Sequence, residues 1–524
     1  MSVMRACWKI SETVALLERL LNMPAPLTPL LPEAAVTLPA QEKSKPWLRS
    51  LGLATCLLIS FTLYLWLSSV TPTDPNSTAS TAPFVRIWLL AFLPYAAACA
   101  LLLATRSTKG RWRWTELALI LGGALLLRVM LLGLSPNLSH DSWRYVWDAR
   151  AFLHGYSPYV TLPEAKELEP LRDFIYANSR FRNAPSIYPP GAQYVYLLSY
   201  LLAPSNLFFL KGVFVFFDML SCLALALLLA RKGFDPARVL LYAWCPLPIV
   251  EFALEGHLDG LAIAFALLAV LSSSRTDRRG RVLTGFLVGM GTLAKIYPLV
   301  LLVPLVNIRQ WKRDVPLVVV CVLTIVVGYL PFVLVGHGQI FGFFSTYASE
   351  QGQNAGLVQH MMADLGVRLR LSLAQIVILE HAVALVLLIG ATVGILIARA
   401  RERMSVEAGT LLLFGLVLAV SSHVFPWYVT TLLPWIVLLL PQRASVSRSA
   451  LVARWLSLGA LWLFTFISVL GYLVDWPTYY LLADNLLAFE LLVAGVCALF
   501  PFWSPLVWKG LTHLKQRLGH MSCT

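Results

Sequence analysis

Long apolar runs separated by short, mostly basic interruptions dominate this chain. The first clear runs cover about 50–70, 85–105 and 114–134. Each is close to the roughly 20 residues an α-helix needs to cross a bilayer. A long polar stretch follows at 135–190, and then one run reaches Arg231 and Lys232, interrupted by Pro204. After it the runs shorten and pair: 238–252 with 258–273, 282–295 with 297–308, and 408–421 with 427–440. Longer runs near 315–335 and 376–399 stand between these hairpins, and a last pair lies near 454–474 and 484–506. The pattern predicts an all-α, polytopic membrane protein of about 12–14 transmembrane helices.

Charge orients the pattern. Lys and Arg cluster before the first span, at 106–113, 275–281, 309–313, 399–403 and 443–448, and behind the last span. Short loops rich in Lys and Arg mark the cytoplasmic side. The sequence therefore predicts both termini inside and segment 135–190 outside. Residues 1–48 read as a cytoplasmic segment with a short amphipathic helix (Ile10, Val14, Leu17, Leu21), 49–510 as one transmembrane domain, and 511–524 as a basic cytoplasmic tail.

Composition agrees. The chain has 524 residues, 58% hydrophobic and 13% charged, with a mean hydropathy of +0.73. A soluble domain carries about 25% charged residues. Too little polar surface remains for a water-facing shell, which excludes a soluble enzyme, a disordered chain and a disulfide scaffold. The net charge of +14 sits in loops between apolar runs, so it does not describe a nucleic-acid surface. Placing the eight Cys in spans or on the inner side predicts no external disulfide.

The polar residues at the hairpin tips all fall outside on this topology: Glu251, Glu255, His257 and Asp259; Lys295; Ser421, Ser422 and His423. Ionisable groups at membrane depth are costly and mark functional paths. The inner loops lack a phosphate-cradling Gly-rich motif. Chemistry, if any, faces outward.

The densest external stretch runs from Ser139 through His140, Asp141, Arg144, Tyr145, Trp147, Asp148 and Arg150 to Gly155, Pro158 and Tyr159. Two surface helices are expected in the loop, about 142–154 and 164–181. Asp141 stands where it would cap the first, with Arg144, Tyr145 and Asp148 on its face. Capping and an Arg144–Asp148 pair would alone explain these residues.

This stretch, with Tyr188-Pro189-Pro190, Glu255-Gly256-His257-Leu258-Asp259, Ala294-Lys295-Ile296-Tyr297-Pro298 and Phe425-Pro426-Trp427-Tyr428, resembles the GT-C superfamily of membrane glycosyltransferases. The closest pattern is that of bacterial polyprenol-phosphate-mannose-dependent mannosyltransferases, over about 115–440. The resemblance implies a large first external loop whose acidic residue, matched by Asp141, acts on a sugar carried by a lipid phosphate. Where some relatives have a second acidic residue, His140 stands here, and Ala149 and Ser157 replace the Gly and Asn of relatives.

The chemistry suits such residues. A carboxylate can take the proton of an acceptor hydroxyl, and the leaving phosphate needs a cation. Asp141 is the candidate base. Lys295, Arg144 and Arg150 are candidates for the donor phosphate, with Arg368 and Arg370 behind them. Asp148, Tyr145, His257, Asp259, Tyr188 and His423 are candidates for the sugar or acceptor. No cofactor is expected. A divalent metal at His140, Asp141, His257 or Asp259 is conceivable without supporting ligand spacing. The expected function is transfer of a hexose, mannose favoured, from a polyprenyl-phosphate carrier to an extracytoplasmic lipid or glycan acceptor at the plasma (inner) membrane, with membrane lipids and no nucleic acid as partners. The alternative is a transporter or flippase for a lipid-linked saccharide, a class whose folds often carry internal repeats; none is visible here.

Overall fold

The computed structural model describes residues 46–74, 77–105, 107–342, 355–441 and 448–473. The expected N-terminal amphipathic helix, the last span and the basic tail lie outside these residues. Six described helices are long and apolar enough to cross a membrane: α1 (Pro46–Ser68), α2 (Thr78–Ala104), α3 (Arg111–Leu132), and three further along the chain. Between α3 and the next of them come α4 (Asp141–Leu153), the short α5 (Phe174–Asn178) and α6 (Pro190–Leu202).

The remaining long helices are α7 (Leu207–Arg231), α13 (Trp311–Val335) and α15 (Leu373–Ala400). Between α7 and α13 run α8 (Leu240–Ala243), α9 (Pro246–Ile249), α10 (Asp259–Ser273), α11 (Arg278–Ala294) and α12 (Leu302–Leu305). α14 (Leu357–Arg368) precedes α15, and α16 (Val406–Val420), α17 (Pro426–Val429), α18 (Leu433–Leu439) and α19 (Arg448–Ile467) complete the described chain.

The long helices divide by what surrounds them. α2 and α7 carry continuous buried faces, from Phe84 and Trp88 to Leu102 and from Leu210 to Leu229. α13 and α15 leave Val322, Leu323, Val326, Leu330, Leu385, Val386 and Ile389 exposed. Lipid is as apolar as leucine, so such faces need no protein cover.

Two expectations about the external loop and the spans change. The stretch expected as a single interrupted crossing is two helices, α6 and α7, parted at 203–206. Pro204 stops the first, and Asn206 caps the second by accepting from Phe209 N at 3.0 Å. The helix expected over 164–181 is broken into a 3₁₀ turn, Lys166–Leu171, and α5. Pro170 cannot continue a helix, and Asp173 starts a new one by accepting from Ile175 N at 2.9 Å.

Residues 236–254 are bent by 60° where α8 gives way to α9. Pro246 and Pro248 lack the amide hydrogens a straight helix would use. Carbonyls freed at membrane depth need other donors. Tyr95 Oη donates to Leu241 O at 2.6 Å, Arg128 Nη1 to Ala243 O at 2.8 Å, and Trp88 Nε1 to Pro246 O at 3.1 Å. Arg128 also pairs with Asp218, which accepts from Tyr242 Oη at 2.7 Å.

Close packing of α6, α11 and α13 depends on glycine. A Cβ on Gly191 would lie 2.7 Å from the Leu293 backbone, and one on Gly328 would lie 2.5 Å from the Leu293 side chain. Leu293 is thus wedged between two helices, two residues before Lys295.

Candidate active site

The segment carrying Asp141 is tied down before α4 begins. The buried Glu255 carboxylate accepts from the amides of Asn137, Leu138 and Ser139 at 3.2, 3.0 and 2.8 Å. Lys211, also buried, donates to Leu134 O. Gly256 has φ +74, and a Cβ there would meet Lys211 and Ser142 at 3.0 Å. Only glycine suits that backbone and that space.

Asp141 is the first helical residue of α4, not its cap as expected. His140 occupies the cap position without a side-chain cap bond. The Asp141 carboxylate is therefore left to other partners. Tyr188 Oη donates to its Oδ2 at 3.3 Å, and Tyr145 Oη donates to Tyr188 Oη at 3.2 Å. Tyr145 stacks on Tyr196 with ring centroids 4.5 Å apart.

Burial pushes the Asp141 carboxyl above its ordinary value, against the opposing charges of Arg180 and Lys295 and the Tyr188 and Ser139 hydrogen bonds. A weaker acid is a stronger base once ionised. Burial and the Arg180 charge push His140 down, which keeps its ring neutral at pH 7.

Opposite lies a second centre. Lys295 follows the last residue of α11, and Asp259 opens α10. Lys295 Nζ donates to both Asp259 oxygens, at 2.7 and 2.8 Å. The same ammonium sits 4.1 Å from the centre of the Tyr428 ring, and the side chain is 15% exposed. Below it, Tyr472 Oη donates to Glu251 at 3.0 and 3.1 Å. His257 Nε2 lies 3.4 Å from Glu251. From His257 a stack of parallel rings runs outward: Trp427 at 3.8 Å, Phe425 at 4.5 Å, then His423 at 5.7 Å.

The structure thus draws Asp141, Tyr145, Tyr188, Asp259, Lys295, His257 and His423 into two linked clusters. Three candidates are held within the external loop instead. Arg144 donates to Asp148 at 2.6 Å and to the carbonyls of Phe181 and Ala184. The other Asp148 oxygen accepts from Gln193 Nε2 at 3.2 Å. Arg150 is engaged by Asp173 at 2.7 Å, Leu171 O, Tyr200 and Ser205. Their guanidinium and carboxylate groups brace the loop, which leaves few donors for a phosphate. Arg368 and Arg370 are exposed near the end of α14.

Arg180 and the bracing carboxylate of Glu255 were not among the expected site residues. Glu255 stood out only as one polar tip residue among several. Arg180 sits in a charged loop with no motif, and only the fold brings its charge to Asp141.

Residues 187–422 match the model of Glycosyltransferase family 87, a GT-C-type family. The matched segment holds Tyr188, Asp259 and Lys295, and Asp141 lies before it. No curated protein matches the chain. Among solved structures the chain is similar to ArnT from Cupriavidus metallidurans in the apo state, with 14% identity, a TM-score of 0.40, and coverage of 74% of this chain and 76% of that one. With its family match and its membrane-spanning helices, the chain is a membrane glycosyltransferase of the GT-C type.

Proposed function

We propose that the chain transfers a hexose, mannose favoured, from a polyprenyl phosphate to a lipid or glycan acceptor outside the cytoplasmic membrane. Asp141 is the base. Its carboxylate accepts the proton of the acceptor hydroxyl, whose oxygen forms the bond to the anomeric carbon. The bond from that carbon to the phosphate oxygen breaks on the opposite face, so configuration inverts. The electron pair leaves on the lipid phosphate, and Lys295 meets its charge, with Arg180 on the other side. No metal is assigned to the step. Tyr188 holds one Asp141 oxygen in place, and Arg144, Asp148 and Arg150 shape the loop.

The observation that supports this most is the Asp141 carboxylate itself. It is raised in basicity by burial, oriented by Tyr188, and under the charges of both Arg180 and Lys295. Asp141→Asn keeps the side chain's size and removes only the base. Sugar transfer should fall by roughly 10²–10⁴-fold with the melting temperature unchanged. Transfer at near the wild-type rate would remove Asp141 from the chemistry.

Orientation is tested separately. Glu167 is exposed on the loop and Arg279 at the start of α11. A cysteine at 167 should react with an impermeant reagent on intact cells, and one at 279 only after permeabilisation. The reverse result would place the site on the inner face.

A further inference from the structure

Lys295 follows one end of α11; Arg281, in the first turn, marks the other. They lie fourteen positions apart along the chain, roughly 20 Å. At the Arg281 end a second polar cavity opens, of about 520 Å³, lined by Asn307, Gln310, Arg313, Arg399, Arg403 and Ser405 with Glu402 and Met404. The proposed transfer reaction does not use it.

Its charges do not balance. Asp314 is already shared, by Arg281 at 3.4 Å and Arg313 at 3.1 Å, and it accepts from Asn307 N at 2.8 Å. Glu407 is taken by Lys232 at 2.8 Å. Among the described residues Arg399 donates to carbonyls, Pro304 O and Met404 O, both at 2.8 Å. Arg403 makes no ion pair among the described residues. Glu402 alone faces Arg399 and Arg403 from the lining, and Arg309, Lys312 and Arg401 add positive charge beside it. Arginine keeps its proton in any protein setting. Arg399 is half-buried and makes no ion pair among the described residues, with Glu407, Asp314 and Glu402 acting on it only at longer range, so it keeps room for an anion. Ser405 also lines the cavity and caps α16 by accepting from Ala408 N at 3.2 Å, and a helix N-terminus favours negative charge.

Exposed apolar side chains near the lining in sequence bear on what carries that anion. Ile308 just before α13, Trp311 and Val315 at its start, and Ile397 near the end of α15 are exposed apolar side chains. Both helices are long enough to span the membrane. These apolar side chains do not line the cavity but neighbour its lining residues along the chain, Ile308 beside Asn307 and Ile397 two residues before Arg399. We propose that this cavity binds the phosphate headgroup of an anionic membrane lipid, with Arg313, Arg399 and Arg403 as its cationic partners. Basic recesses between spanning helices suit such headgroups. The site is separate from the transferase centre, so its test reads stability rather than activity.

The full-length protein in neutral detergent is titrated with phosphatidylglycerol, phosphatidylcholine or inorganic phosphate while its melting is followed. Phosphatidylglycerol should raise the melting temperature. Phosphatidylcholine should not, and neither should inorganic phosphate at the same concentration. R313Q/R403Q should need at least about tenfold more phosphatidylglycerol for the same shift, while R278Q/R279Q, two arginines of the same face outside the cavity, should respond as wild type. An unchanged response in R313Q/R403Q, or an equal effect of phosphatidylcholine, overturns the proposal. A shift reproduced by inorganic phosphate makes the source a free anion and overturns the lipid assignment. Should R313Q/R403Q melt lower before any lipid is added, native mass spectrometry of the wild type decides. Phosphatidylglycerol must then stay bound under activation that strips phosphatidylcholine, and loss of both at once overturns the proposal.

Discussion

Two cation–aspartate pairs lie inside this protein and differ in what they leave open. Arg128 and Asp218 are both 0% exposed. The guanidinium also serves the carbonyls of Ala124 and Ala243, and the carboxylate takes the Tyr242 hydroxyl. Lys295 has Asp259, a tyrosine face, and a part-open side that also bears on Asp141. The first pair is enclosed and repairs a broken helix. The second is left part-open, on the cation to which the proposed function assigns the donor phosphate. A buried ion pair is thus read by whether it is left part-open rather than by its presence.

The largest effect should come from breaking the enclosed pair. Arg128→Met leaves Asp218 buried without its partner and Ala243 O without its donor, and breaking such a pair costs about 3–5 kcal/mol. The yield of folded protein and the melting temperature should drop sharply. Arg128→Met with Asp218→Leu should recover part of the loss, because no lone charge stays buried. A single variant as stable as wild type would make the two pairs alike and dissolve the contrast.

Next is Glu255, which holds the Asp141 segment by three amides. Glu255→Gln keeps an oxygen acceptor and loses the charge. A displacement of about 1 Å at a reacting group can cost 10²-fold, so kcat should fall by about 10–100-fold, with the donor KM nearly unchanged. A change in KM alone would mean that Glu255 serves binding. Lys295→Met should follow, with donor affinity at least about tenfold weaker, since a charge-assisted contact is worth roughly 1.5–3 kcal/mol. Lys295→Met also leaves Asp259, 1% exposed, without its cation, so its melting should fall, but less than that of Arg128→Met because the pair is part-open.

The smallest effect is on pH. In the proposed role Asp141 works only when ionised, so transfer should be lost as pH falls through its raised pKa. The acid limb of kcat/KM should lie above the range of an ordinary aspartate. Arg180 opposes the rise, and Arg180→Gln should therefore move the limb to still higher pH. A limb that stays put would separate Arg180 from Asp141. The same shift sets a sign for folding. The folded chain holds this proton more tightly than the unfolded one, so this group's contribution to stability improves as pH falls through the raised value.

Much of this was legible in the runs of apolar residues. Spans α1 to α3, the short hairpins with polar tips, and Asp141 beside the third span all follow from spacing and charge. What was missed depends on contacts far apart in sequence. Glu255 meets residues 116–118 positions away, and Tyr472 meets Glu251 across 221. Local signals were also overrun: Pro170 with Asp173 breaks the helix expected over 164–181, and the cap position fell one residue before Asp141. Arg144 and Arg150 read as phosphate ligands because sequence shows charge, not whether it is already engaged by carboxylates and carbonyls.

The wedge of Leu293 between Gly191 and Gly328 has a consequence for traffic. Gly191 stands three residues after Tyr188, and Leu293 two before Lys295. The contact therefore rivets the wall that orients the base to the wall that carries the cation. These two walls cannot swing apart like jaws without parting backbone packed as closely as atoms allow. Loading of a lipid-borne sugar therefore has to come about without the parting of these two walls.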